Sequence, residues 1–161
     1  MSYPRRRIAG FSLIELMASA AILGLLATVA VPFVETTVKR QKEHELRLAL
    51  NNIRQAIDAY KLASAGGHIA TKPEQSGYPP SLTELVGGVT DLARPGGPKL
   101  YFLRSIPRDP FFADGSVAAI DTWGKRSYDS PPDHPREGDD VFDVYSTSAQ
   151  TGLNGVPYQE W

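Results

Sequence analysis

The chain has 161 residues, the size of a single domain, and its 42% hydrophobic and 22% charged composition is typical of a globular protein. The 17 Lys and Arg residues against 18 Asp and Glu residues give a net charge of −1. Because a nucleic-acid-binding protein needs basic residues in excess to neutralise phosphates, this balance argues against nucleic acid as a partner. The chain has no cysteine, which excludes disulfide scaffolds, zinc–thiolate sites and cysteine nucleophiles.

The N-terminus joins a short basic leader to a long apolar segment. Arg5–Arg7 precede the segment Phe11–Val34, in which Glu15 is the one charged residue. As a helix, Phe11–Val31 would span about 30 Å, the thickness of a hydrocarbon core. The basic leader favours a cytoplasmic N-terminus, with the remainder of the chain on the other side of the membrane.

Three interpretations of this segment compete. A cleaved secretory signal could use the small residues Thr28–Ala30 as its cleavage site, although the apolar run is long for such a signal. A plain membrane anchor is the second. Glu15 counts against both, because a charged carboxylate at the bilayer centre costs about 2.5–3.5 kcal/mol. The third is a membrane segment with a functional Glu15, because such residues usually have a partner; the alternative for Glu15 is a residue that is merely tolerated near the membrane interface.

The residues Gly10–Glu15, which read GFSLIE after the basic leader, resemble the class III signal of type IV pilins and pseudopilins. The resemblance implies that residues 1–10 are a leader peptide and that a prepilin peptidase cuts between Gly10 and Phe11 and methylates the new N-terminus. It also implies that residues 11–34 form a transmembrane helix that becomes the filament core. Glu15 would then pair with the Phe11 amine of a neighbouring subunit.

Two residues of the apolar segment disfavour a regular helix. Pro32 lacks an N–H and clashes with the preceding turn, and Gly24 is a poor helix former. Both match residues that, by the same resemblance, bracket a stretch that unwinds in assembled filaments. Gly and Pro are also ordinary residues of membrane helices. We expect a kink in the membrane-bound subunit and extension on assembly.

Beyond Glu35 the helical pattern becomes amphipathic. Apolar residues recur at spacings of three and four and predict a buried stripe on a helix that runs from Phe11 to about Ala63. Opposite charges four residues apart predict ion pairs on its exposed face. The stripe comprises Leu46, Ala49, Leu50, Ile53, Ala56, Ile57 and Tyr60, and the charge pairs are Glu35/Lys39, Lys39/Glu43 and Glu43/Arg47.

The remainder of the chain predicts a small antiparallel sheet. A short helix over 78–86 has a potential capping box in Ser81 and Glu84. Strands are expected at 126–128 and 141–146, and Asn154-Gly155 predicts a final hairpin that ends at Trp161. The resemblance to pilins implies that residues 35–161 form a pilin-like globular domain in the periplasm. The fold class is α+β, with the long N-terminal helix packed on the sheet.

This half resembles the major pseudopilin branch of type II secretion. The matching motifs are Tyr78-Pro79, Ile106–Pro110, Trp123-Gly124 and Val144–Ser146, and Phe111–Thr122 has the character of an insertion. Major pseudopilins often hold calcium in their C-terminal loop. The loop here, residues 148–155, has no carboxylate, and the nearby Asp139, Asp140 and Asp143 match no calcium motif. We expect solvated turn acids, no metal and no other cofactor.

The sequence predicts no catalytic residues, because its histidines have no metal-ligand spacing and no nucleophile or phosphate-binding motif is present. The resemblance implies a structural subunit of a periplasmic pseudopilus in a type II secretion-like system, which starts in the inner membrane and polymerises through its N-terminal helix to drive protein export. Its expected partners are further copies of itself in a homopolymer filament, a prepilin peptidase, an assembly platform with its ATPase, and membrane lipid. A type IV pilin, or a membrane-anchored binding or enzymatic domain, remains the alternative.

Overall fold

The computed structural model describes residues 11–161, except for the side chains of residues 29–32. Its regular elements are two α-helices, two strands and two 3-10 helices. Contacts divide the chain into two units, Met1–Lys39 and Arg40–Trp161. In chain order the elements are α1 (Leu13–Ala65), α2 (Leu82–Gly87), a 3-10 helix (Ala119–Thr122), β1 (Trp123–Arg126), β2 (Asp143–Ser146) and a second 3-10 helix (Tyr158–Glu160).

Helix α1 begins two residues later than the sequence predicts and ends two residues later. At its start, the Ser12 carbonyl accepts hydrogen bonds from the amides of Glu15 and Leu16. The helix is continuous through Gly24 and Pro32, so unwinding of this stretch stays a prediction about the assembled state. The helix ends where Gly67 adopts a φ of 76°, in the left-handed region that glycine enters without strain.

In the second unit, the predicted stripe of α1 forms one side of the core. All seven of its residues are buried, and they pack with residues of α2, both strands and the C-terminal end of the chain. The periodicity argument is therefore confirmed. The other buried apolar residues of this core are Ile69, Leu82, Leu85, Trp123, Val141, Val144 and Tyr158.

The sheet consists of β1 paired with β2 in antiparallel register, from Trp123 opposite Ser146 to Arg126 opposite Asp143. The sequence placed the first strand three residues too late and began the second two residues too early. Beyond Arg126 the backbone leaves the sheet, because the Ser127 amide donates to the Arg136 carbonyl instead of to β2. The two strands and the long helix make the α+β fold class that the sequence predicts.

Gly124 fits its strand for a steric reason. It lies opposite Tyr145 in the register, and a Cβ added to Gly124 would overlap the Tyr145 ring. The Tyr145 side chain therefore occupies the space above the glycine.

Two local predictions about the C-terminal half are wrong. Ser81 is the N-cap residue of α2, but its side chain makes no capping hydrogen bond, so the capping box does not form. The predicted hairpin is a single bridge between Thr151 and Pro157, followed by a 3-10 helix. Pro157 has no N–H to extend a ladder, so the hairpin stops there.

Candidate processing and assembly segment

The N-terminal part of α1 exposes its apolar side chains on every side. Each residue from 11 to 28 is exposed. Among the described residues, α1 is the one helix that is long and apolar enough to cross a membrane, and its most apolar window is unburied. The large exposed apolar residues of this region are Phe11, Leu13, Ile14, Leu16, Met17, Ile22, Leu23, Leu25, Leu26, Phe33, Val34 and Val38.

The predicted site residues lie in or next to this exposed segment. Gly10 lies outside the described residues, and Phe11 is 75% exposed directly after it. Glu15 is exposed in the first turn of α1 and uses its carbonyl to accept the Ser19 hydroxyl at 2.7 Å. Within residues 11–161, no cationic group lies within ion-pair distance of its carboxylate. The described part of the chain thus provides no cationic partner for the Glu15 carboxylate.

Gly24 is also unconstrained by packing. Within the described chain, no atom outside its own helical surroundings lies within 4 Å of the place where a Cβ would stand. The absence of a side chain at this position is therefore unexplained by contacts inside the subunit. Pro32 is part of the same uninterrupted helix.

A second cluster ties the C-terminal segment, Gln150–Trp161, to α1. Glu43 is only 6% exposed, and its Oε1 accepts the Leu153 amide at 2.7 Å and the Tyr158 hydroxyl at 3.0 Å. The predicted ion pairs placed Glu43 on the exposed face of the helix, which is wrong. Burial, and then the hydrogen bond and charge of Glu43, raise the pKa of the Tyr158 hydroxyl.

Arg54 makes a second link from α1 to the same segment. Its guanidinium donates to Asp143 Oδ1 at 2.8 Å, to the Val144 carbonyl at 3.1 Å and to the Trp161 carbonyl at 2.8 Å. The Arg47 guanidinium lies 4.4 Å from the centre of the Trp161 ring, within cation–π range. Strand β2 and the end of the chain are thereby held by one side chain.

Two of the three acids that the sequence assigned to solvated turns have specific partners, whereas Asp139 is exposed. Asp140 accepts hydrogen bonds from Ser76, from the Ser127 hydroxyl at 2.9 Å and from the Tyr128 amide at 2.9 Å. Asp143 pairs with Arg54 and, at 3.5 Å, with Arg126. These acids therefore organise loops of the globular unit.

Residues 111–122, the apparent insertion, pack on the same core. The Phe111 ring stacks on Tyr158 with centroids 4.1 Å apart, and Arg108 binds the carbonyls of Asp114 and Val117. Of the two tryptophans, Trp123 is 2% exposed, whereas Trp161 is partly exposed at the surface.

One histidine has an acidic neighbour that the sequence did not indicate. His68 Nδ1 lies 2.9 Å from Asp91 Oδ1, and this hydrogen bond lowers the pKa of the Asp91 carboxyl. Asp91 Oδ1 also accepts the Ala93 amide at 3.0 Å. The pair fixes a turn, and nothing in it resembles a nucleophile or a metal centre.

Sequence reasoning missed Glu43, Arg54 and Tyr158. A signal for Glu43 existed, because it continues the buried stripe with a spacing of three before Leu46. Its place among alternating charges concealed this position, since the same spacing also fits ion pairs on a solvated helix face.

Comparisons with family models and with known proteins point to the same family. A family model described as the prokaryotic N-terminal methylation motif matches residues 5–31. The type II secretion system core protein G of Dickeya chrysanthemi is 27% identical over 93% of this chain and 96% of its own length. The protein of the same name from Pseudomonas aeruginosa is 33% identical over 74% of this chain and 83% of its own length. No solved structure matches the chain.

Together these matches cover both the N-terminal segment and the globular unit. The methylation motif covers the exposed apolar start of α1, and the relatives align through most of the globular unit as well. The apolar N-terminal helix is consistent with anchoring in the inner membrane. The chain belongs to the family of type II secretion system core protein G, the major pseudopilin, and has the pilin-like α+β architecture of a long N-terminal helix followed by a small sheet.

Proposed function

We propose that this chain is a structural subunit of a periplasmic pseudopilus in a type II secretion system, and that it polymerises through its N-terminal helix to drive protein export. The observation that carries the proposal is the exposed apolar surface of residues 11–28, which lies within the matched methylation motif, residues 5–31. A surface of this extent needs cover in water, first from lipid and then from other copies of the same helix.

The proposed processing creates the assembly end of the subunit. A prepilin peptidase cuts between Gly10 and Phe11 and methylates the Phe11 amine. The cut removes the basic residues Arg5–Arg7, which hold the N-terminus on the cytoplasmic side before assembly and leave the globular unit in the periplasm. The new amine then lies one turn from Glu15, in a segment that is otherwise apolar.

Apolar packing and one charged pair have different tasks in the proposed filament. Burying a Leu, Ile or Phe side chain contributes about 1.5–3 kcal/mol, so the many exposed apolar residues of α1 provide the driving force. Glu15 would pair with the Phe11 amine of a neighbour. A buried carboxylate that is satisfied only in one alignment sets the axial register more than it adds net stability. The assembly platform and its ATPase perform the energy-dependent steps, and the subunit itself has no catalytic role.

The test is a comparison of Glu15→Ala with Glu35→Ala, two exposed acids of the same helix. Each variant is expressed with a prepilin peptidase and the assembly machinery. Sheared filaments are then counted by electron microscopy, and processing is followed by mass. We expect both variants to be processed, Glu35→Ala to form filaments, and Glu15→Ala to lose most of them. Normal filaments from Glu15→Ala would refute the register role, and no filaments from the unaltered chain would refute the proposed function.

A further inference from the structure

We propose that a carboxylate of α1, Glu43, holds the C-terminal segment Gln150–Trp161 in place, and that this segment needs no divalent cation to fold. The corresponding loop of major pseudopilins often holds calcium, as the resemblance described above implies. It rests on the hydrogen bonds and packing of the globular unit alone, and it holds whether or not the chain forms a filament.

Glu43 is placed as the central acceptor of this segment. Leu153 and Tyr158 both donate to its Oε1, from two places that are five residues apart in the chain. The Tyr158 ring is completely buried and is held between the rings of Phe111, at 4.1 Å, and Trp161, at 4.9 Å. A single carboxylate thus fixes the tip of the loop and the aromatic residue that plugs it into the core.

Several oxygen atoms of the segment already accept hydrogen bonds from its own N–H groups. The Val156 carbonyl accepts the Gly152 amide and the Trp161 indole, and the Gln150 carbonyl accepts the Tyr158 amide. The Asn154 side-chain oxygen accepts the Val156 amide at 3.1 Å. A calcium ion that used these oxygens would have to compete with these donors.

The donor set also lacks the charge that calcium requires. Calcium takes six to eight oxygen ligands, usually with several carboxylates among them. Residues 148–155 contain no carboxylate, and within residues 11–161 no three acidic, histidine or cysteine side chains come together in a metal-binding group. Glu43 supplies the one negative charge that the structure brings to the Leu153 amide. The residues present do not fit calcium.

Arg54 complements the carboxylate from the next turns of the same helix. It is bound to β2 and to the Trp161 carbonyl, so the last residue of the segment is fixed independently of Glu43. The segment is therefore fastened to α1 at its tip, at Tyr158 and at Trp161, by one anion and one cation of the chain itself.

The first test measures the cation directly on the full chain in detergent micelles. Thermal unfolding is followed by tryptophan fluorescence in millimolar calcium and in EDTA. We expect the two Tm values to agree within about 1 °C, whereas a cation bound well above its Kd would raise Tm by several degrees. A clear rise in calcium, or a fall in EDTA that added calcium reverses, would overturn the proposal.

The second test measures how much the Glu43 carboxylate stabilises the segment, with Glu45→Ala as the matched control. Glu45 is exposed on the same helix, and its Oε1 accepts a hydrogen bond from the Gln41 side-chain amide at 3.1 Å. We expect Glu43→Ala to lower Tm by about 5 °C or more and to speed amide exchange at Leu153 at least tenfold, and Glu45→Ala to change neither. Equal behaviour of the two variants would overturn the proposal.

A third variant keeps the test decisive if Glu43→Ala does not fold. Tyr158→Phe retains the aromatic contacts with Phe111 and Trp161 but removes the hydroxyl that donates to Glu43. We expect a smaller loss of Tm from Tyr158→Phe, faster exchange at Leu153, and no dependence on calcium in either chain. If Tyr158→Phe gained or retained Tm and left Leu153 exchange unchanged, the carboxylate would not hold this segment.

Discussion

The two regions of helix α1 are both rich in apolar residues, but these residues have different surroundings. In the region up to Lys39 the described apolar side chains are exposed around the whole helix. From Arg40 onward most apolar side chains of the helix follow one stripe, which is buried by the remainder of the globular unit, whereas Leu48 and Leu62 are exposed. A helix that is apolar all round needs an environment outside its own chain, whereas an amphipathic helix can find its cover within the chain.

The same difference in surroundings separates two acidic residues of the helix, Glu15 and Glu43. Glu15 lies in the uncovered region and meets no cation among the residues described, so its proposed partner belongs to another subunit. Glu43 lies in the covered region, where Leu153 and Tyr158 satisfy it within the same chain. We therefore propose that the surroundings of these two glutamates give Glu15 a role in assembly and Glu43 a role in folding.

The largest expected effect on stability comes from shortening one apolar residue in each region of the helix. Ile53 is fully buried, and Leu16 is 56% exposed. We expect Ile53→Ala to lower the free energy of unfolding by about 2–5 kcal/mol, because it leaves a cavity. Leu16→Ala should change it by no more than about 0.5 kcal/mol, since the residue has no packing to lose within the subunit. Denaturant unfolding of both variants in micelles measures the difference, and similar losses would contradict it.

The next effect tests how closely the sheet is packed in the covered region. We expect Gly124→Ala to cost about 1–3 kcal/mol, because its methyl group must displace the Tyr145 ring. Gly87→Ala is the matched control, since a Cβ there meets no atom and the residue lies in α2. It should be neutral or slightly stabilising. A thermal unfolding scan compares the pair, and an unchanged Tm for Gly124→Ala would show that the ring moves freely.

A smaller effect should appear at alkaline pH. The pKa of Tyr158 is raised above its ordinary value of 10.0, so the folded state resists ionisation that the unfolded state accepts. The stability from this group is therefore complete below pH 10 and decreases as the pH rises beyond it. Tyr158→Phe should show a smaller decrease in Tm between pH 9 and pH 11 than the unaltered chain. Parallel pH curves for the two proteins would contradict this expectation.

The smallest effect should appear in acid and concerns Asp91. The hydrogen bond from His68 lowers its pKa from 3.8, so its contribution to stability is present above that pH and is lost as the pH falls through the folded-state value. Asp91→Asn should lower Tm near neutral pH, and the difference from the unaltered chain should narrow below pH 3.8. A difference that stays constant with pH would assign the effect to packing instead of charge.

Helical periodicity made the overall architecture predictable from the sequence. The boundaries and caps of the shorter elements could not be predicted in the same way. Seven stripe residues at spacings of three and four are a strong signal, and all are buried. The strands have four residues each, so a turn at Ser127 shifts a boundary without changing the pattern of side chains. Ser81 had the right spacing for a cap, but its side chain does not bond to the helix. Such details depend on contacts that are distant in sequence.

The site residues divide in the same way. Gly10, Phe11 and Glu15 were indicated by a contiguous motif, which a local pattern can show. Glu43 and Tyr158 were not, because they are 115 residues apart and meet only after the chain has folded. Charge spacing along one helix cannot distinguish a solvated acid from one that a distant loop covers.

The most direct measurement is the intact mass and N-terminal sequence of the membrane-purified protein, expressed with and without a prepilin peptidase. The account predicts a peptidase-dependent product that starts at N-methylated Phe11, with the full leader retained when the peptidase is absent. An uncut chain in the presence of an active peptidase would contradict it and leave a simple membrane anchor. A product starting at Val31 would contradict it as well, because the exposed apolar helix would then be a discarded signal.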